Sequence, residues 1–147
     1  VLRTMRRRSV LAAAASVGAP LLAGCSGGDG GGPPPESATV RVQSPGNAPL
    51  EVRVAVGGTV TWVNEDSAFL NEHTVTSAQF SGDMVSWEFD ETLEEEGDQV
   101  SHTFEAAGVY GYYDENDGQN CRCGAVVVGD AELGQPLPCS AASPSSC

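Results

Sequence analysis

The stretch Val56-Gly57-Gly58-Thr59-Val60-Thr61-Trp62-Val63-Asn64 decides the fold. Two glycines supply a turn, and Val60 and Trp62 then alternate with Thr59, Thr61 and Val63, the period of a strand with one buried face. The same period runs outward in both directions. Val40 and Val42 precede it, followed by Leu50, Val52, Val54 and Val56. Further strands are predicted at 73–77, 86–89, 99–104, 109–113 and 124–128. Turn residues punctuate the pattern at Pro45-Gly46-Asn47, Ser81-Gly82-Asp83, Glu96-Gly97-Asp98 and Ala107-Gly108. No helical period is sustained after residue 38. About eight short strands at this spacing argue for an all-β, Greek-key β-sandwich over residues 38–130. Trp62, Trp87, Phe89, Phe104 and the Tyr110 to Tyr113 segment are the expected core, and His102, in step with Val100 and Phe104, is expected there as a packed histidine. Asp90 to Asp98, with six carboxylates in nine residues, reads as a solvated loop, with a weak cation site as the alternative.

Residues 1–24 read as an export signal. Arg6, Arg7 and Arg8 precede Ser9-Val10-Leu11 and a short apolar run, and this pattern resembles a twin-arginine signal. Leu22-Ala23-Gly24-Cys25 resembles a lipobox, which makes Cys25 the expected lipidation site. Residues 25–37 then form a glycine- and proline-rich tether. The predicted location is the outer face of the cell membrane, held there by the lipid anchor. The whole sequence carries a formal charge of -13, and all seven basic residues are arginine. Four of them belong to the signal, so three arginines against twenty carboxylates leave the remainder at -17. Nucleic acid is excluded as a partner by that charge. A halophilic setting suits it, because carboxylates stay hydrated in brine while screening over about 3 Å at 1 M salt suppresses their repulsion.

Three strings carry a family resemblance: Val56 to Asn64, then His73-Thr74-Val75-Thr76-Ser77, then Ser101-His102-Thr103-Phe104 with Ala107-Gly108-Val109-Tyr110-Gly111-Tyr112-Tyr113. Together, over about Val40 to Val128, they resemble blue copper proteins of the cupredoxin fold, in particular halocyanin and plastocyanin. The resemblance implies copper binding and electron transfer. It places His73 as one copper ligand and the other three in a loop of the form Cys-x-x-His-x-x-x-x-Met-x-Gly after the paired tyrosines. Here that loop reads Asp114-Glu115-Asn116-Asp117-Gly118-Gln119-Asn120-Cys121-Arg122-Cys123-Gly124. Asp114 stands at the thiolate position, Asp117 at the second histidine, Arg122 at the axial methionine and Gly124 at the glycine. Blue copper needs a short thiolate bond, two imidazoles and a soft axial group, which two carboxylates and a guanidinium do not supply. Three arrangements are open. In the first, which we favour, Arg122 takes the metal's place by forking onto Asp114 and Asp117. In the second, His73, Asp114 and Asp117 hold Zn or Cu(II). In the third, Cys121 or Cys123 supplies a displaced thiolate to a modified copper site.

Beyond Cys25 the cysteines number four, Cys121, Cys123, Cys139 and Cys147, and an exported protein would oxidise them. A Cys121 to Cys123 bridge would be strained by its spacing, which leaves two patterns. Cys123 with Cys139 and Cys121 with Cys147 is the favoured one, stapling the tail of residues 131–147 across the loop. No nucleophile elbow, triad, phosphate loop or acid–base pair is present in the sequence, so the expectation is not an enzyme. Two functional classes remain: a surface binding or structural module, with an extracellular protein as its partner, and a copper electron carrier with a redox partner.

Overall fold

The computed structural model describes residues 31–67, 72–141 and 147. The predicted export signal and Cys25 lie outside the described residues. Residues 32–147 form one compact unit. Its strands are β1 (Ser37–Val42), β2 (Glu51–Val54), β3 (Gly58–Asn64), β4 (His73–Ala78), β5 (Asp90–Leu93), β6 (Gln99–Phe104), β7 (Gly108–Tyr113) and β8 (Cys123–Val128), with a 3-10 turn at Pro138–Ala141. They form two sheets, β1-β3-β6 and β2-β8-β7-β4-β5, so the chain changes sheet between β1 and β2 and again between later strands. The expected all-β sandwich of eight strands is what the chain forms. No described helix is long and apolar enough to cross a membrane.

The Val56 to Asn64 stretch behaves as its period requires. Along β3 burial alternates strictly, with Gly58, Val60, Trp62 and Asn64 inward. Trp62 meets Tyr112 edge-on at 5.2 Å between ring centres, and Val40, Val54, Val75, Leu93, Phe104 and Val126 complete a core that water does not reach. Each such side chain contributes roughly 1.5–3 kcal/mol on burial. His102 packs its ring against Trp87, Phe89 and Phe104 as expected, and burial pushes its imidazole below the ordinary value of 6.5.

Two local expectations need correcting. Residues 86–89 are not a regular strand; the strand is displaced to β5, inside the carboxylate-rich run. The ring of Trp87 stacks on Phe89 at 5.6 Å and its indole N–H donates to the Gly111 carbonyl at 2.8 Å, so side chains anchor this segment before the ladder starts. Leu93 is the one residue of β5 that is buried, and it pairs with His73. The solvated loop therefore shrinks to the residues after Leu93, where Asp98 accepts the N–H groups of Glu94 and Glu95.

β8 breaks the one-face rule, since all six of its residues are buried. Its inner side joins the core through Val126 and Val128. Its outer side, Cys123, Ala125 and Val127, lies under Met84, Leu137 and Cys139. The tail covers the sheet, and the continuous apolar run needs both coverings. Two bridges fasten that tail, Cys121–Cys147 and Cys123–Cys139, which is the favoured pattern.

Candidate functional site

One end of the sandwich gathers the polar residues. β4 begins there with His73, β7 ends there and delivers Asp114, and the loop to β8 returns with Arg122. Backbone bonds set that loop: Asp114 N–H donates to the Arg122 carbonyl at 3.0 Å, and the N–H groups of Gly118 and Arg122 donate to the carbonyls of Asp114 and Gly118 at 2.8 and 3.0 Å. Gly118, at φ 81°, takes the left-handed turn that a side chain would resist. The loop thus folds back tightly enough to bring Asp114, Asp117 and Arg122 against His73.

His73, Asp114 and Arg122 are all buried polar residues, with Asp114 fully so. Asp114 Oδ2 lies 2.7 Å from His73 Nδ1, while Asp114 Oδ1 accepts the Thr74 and Asn116 N–H groups at 3.2 and 3.0 Å. This fully buried carboxylate is therefore held by three donors. Arg122 Nε donates to Asp117 Oδ2 at 2.6 Å and lies 3.6 Å from Asp114 Oδ2. The favoured fork takes a modified form. A single guanidinium edge faces both carboxylates, and Nη1 turns away to the Gln43 carbonyl at 2.6 Å.

Asp66 was not singled out by the sequence, and it closes the network. Its Oδ2 lies 3.3 Å from His73 Nε2 and accepts the Ser44 hydroxyl at 2.7 Å. Ser44 in turn receives Arg122 Nη2 at 3.4 Å, a long contact. Both imidazole nitrogens of His73 thus face a carboxylate. Asp66 lies just past β3 and Gln43 and Ser44 just past β1, and nothing in the local sequence marks the latter two. The signal that could have pointed to Asp66 is its place just after the tryptophan strand, where the alternation stops.

The donor set can be tested against a metal. Ligand atoms of His73, Asp114 and Asp117 lie within 4.8 Å of one another, near enough to share an ion. One imidazole and two carboxylates suit Zn or Cu(II) and not a blue copper centre, which requires a thiolate. With Cys121 and Cys123 each in a disulfide, neither offers a thiolate in this oxidised form. Arg122 Nε, hydrogen-bonded to the same Asp117 oxygen that faces His73, also opposes an ion. A divalent cation about 4 Å from a guanidinium is repelled by roughly 8 kcal/mol at an effective dielectric of about 20. The residues present do not fit type 1 copper.

Gly124 follows the loop, and the structure explains why it has no side chain: a Cβ there would run into the Tyr112 hydroxyl. Burial pushes that phenol well above its ordinary range. Trp62 Nε1 is near enough to offset part of the shift but does not complete a hydrogen bond.

Among solved structures, the purple cupredoxin from Nitrosopumilus maritimus matches at 30% identity, with a TM-score of 0.50, covering 63% of this chain and 99% of that one. The domain has the cupredoxin fold. An oxidised amicyanin variant matches this cupredoxin domain at 25% identity and a TM-score of 0.50, over 65% of this chain and 90% of its own. A copper-containing nitrite reductase from Thermus scotoductus shares the fold at 24% identity and a TM-score of 0.52, and the cupredoxin domain here spans only 23% of that larger chain. No family model and no curated protein matches the chain.

Proposed function

We propose that this is an exported, lipid-anchored cupredoxin of the halocyanin and plastocyanin type in which an ion-pair network replaces the copper centre. What remains is a non-blue surface binding or structural module, not an enzyme, held by a lipid on Cys25 at the outer face of the cell membrane and engaging an extracellular protein. The observation that carries this reading is the buried guanidinium of Arg122, 2.6 Å from Asp117 and 3.6 Å from Asp114, at the position of the axial ligand. A fixed cation beside both carboxylates offsets part of their charge and weakens the electrostatic reason to bind a metal ion there. Asp114 and Arg122 are also hydrogen-bonded to their surroundings, Asp114 by the Thr74 and Asn116 N–H groups and Arg122 to the Gln43 carbonyl. The test is copper loading of the full chain under oxidising conditions. The expected result is a colourless protein, and an intense visible thiolate-to-copper band would overturn the reading.

A second reading has its own observation, the 4.8 Å clustering of His73, Asp114 and Asp117. It assigns them a Zn or Cu(II) ion, with Arg122 swung outward. In its copper form this is the modified-site alternative, an electron-transfer protein with a redox partner. Calorimetry separates the readings: heat of binding at micromolar metal, abolished by Asp117→Asn, would establish the ion site. No heat at that concentration leaves the ion-pair module.

A further inference from the structure

The two disulfides leave Arg122 between them in sequence, yet they are in different surroundings. Cys123 and Cys139 are 0% and 8% exposed and sit in the apolar cluster between β8 and the tail. Cys121 is half-buried and Cys147 is exposed. Cys121, Cys147, Arg122, Asp117, Ser44 and Pro45 line a cavity of about 240 Å³ at the surface. The outer bridge therefore combines an exposed half-cystine, a cavity lined by both of its cysteines and a buried cation in the same wall. The inner bridge is buried, and among the described cavities none is lined by Cys123 or Cys139.

We infer that Cys121–Cys147 is a thiol–disulfide exchange site for a dithiol partner, with Arg122 stabilising the sulfur that leaves. A thiolate of the partner attacks the exposed Cys147 sulfur and forms a mixed disulfide with it. The Cys121–Cys147 bond breaks, and its electron pair goes to Cys121 as a thiolate. The partner's second thiolate then attacks the partner's own sulfur in the mixed disulfide and releases Cys147 as a thiolate. The partner departs as a disulfide; the domain has gained two electrons and, once both thiolates are protonated, two protons. Exchange is fastest when the leaving sulfur is the better-stabilised anion. Arg122 suits that role: three of its five N–H groups meet Asp117, Gln43 and Ser44 among the described residues, which leaves donors for an anion in the cavity. Opening is local, because Leu137 and Cys139 remain buried in the apolar cluster and the inner bridge still pins the tail.

The experiment is a timed incubation of the full chain with dithiothreitol at neutral pH, quenched by alkylation and mapped by peptide mass. Cys121 and Cys147 should be alkylated together, at least about tenfold sooner than Cys123 and Cys139, while the near-ultraviolet circular dichroism of the core persists. Arg122→Gln should slow opening of the outer bridge by about tenfold without slowing the inner one. Simultaneous opening of both bridges, inner opening first, or an unchanged outer rate in Arg122→Gln would each overturn the assignment. If Arg122→Gln does not fold, Asp117→Asn carries the test. Freeing the guanidinium from its carboxylate should speed outer opening, and an unchanged or slower rate would count against the site.

Discussion

The middle of the sandwich and the innermost side chains of its polar end are both buried, but they are held in different ways. In the middle, Trp62, Phe104, Leu93 and the valines contact one another without directional demands. At the end, His73, Asp114 and Arg122 are nearly as buried, yet each is held by contacts of defined distance. An apolar core loses stability in proportion to the volume removed. A buried ion network instead loses it when one partner goes, because the charge left behind has neither water nor counter-ion. That difference teaches where substitutions in this cupredoxin domain are graded and where they are abrupt.

The largest expected effect tests the core. Trp62→Ala empties the space between Tyr112 and Phe89 and should cost about 4 kcal/mol in a urea melt, with the fold retained in more conservative variants such as Trp62→Phe. Arg122→Ala tests the other side of the comparison. It should cost about 3 kcal/mol by removing the cation beside Asp117 and the buried Asp114, and a melting curve like that of the unsubstituted chain would show that the network carries no stability. The junction of the two regions comes next. Gly124→Ala pushes a methyl group into the Tyr112 hydroxyl and should cost about 2 kcal/mol, while Gly118→Ala strains only the exposed turn and should cost less. Smallest is a pH effect confined to the core. The imidazole of His102 is held below its ordinary 6.5 by burial, so the unfolded chain takes up a proton first as pH falls. The increment is present above about pH 6.5 and is lost as pH falls below it. Comparing urea midpoints at about pH 7.5 and 5.5, His102→Gln should show a smaller drop than the unsubstituted chain; an equal drop would mean that His102 does not contribute.

The legibility of the fold differs between the same two regions. Period two was visible because packing against a sheet depends only on which face a residue takes, and β3 alternates as its residues require. The displacement of the strand from 86–89 to 90–93 was not visible. It follows from the Trp87 indole bond to Gly111 and from Leu93 facing His73, contacts between residues distant in sequence. The carboxylates and Arg122 could be placed at the site only through the family strings, since their own spacing has no period. Ser44 and the Gln43 carbonyl left no trace at all, and Asp66 only its place after the tryptophan strand.

Order along the chain was enough to determine an all-β sandwich, because each strand's alternation is a local property that any solvent-facing sheet enforces. The same order set Asp114, Asp117 and Arg122 at positions where the family resemblance implies a thiolate, a histidine and a methionine. Only the folded chain decided how those charges are balanced. Arg122 gives one edge to Asp117 and another to the Gln43 carbonyl, and Asp66 meets the far side of His73. The physical reason is that a buried charge must be answered by whatever lies within about 3 Å of it. Those neighbours arrive from β1, β3, β4 and β7, and it is the closing of the two sheets that brings them together.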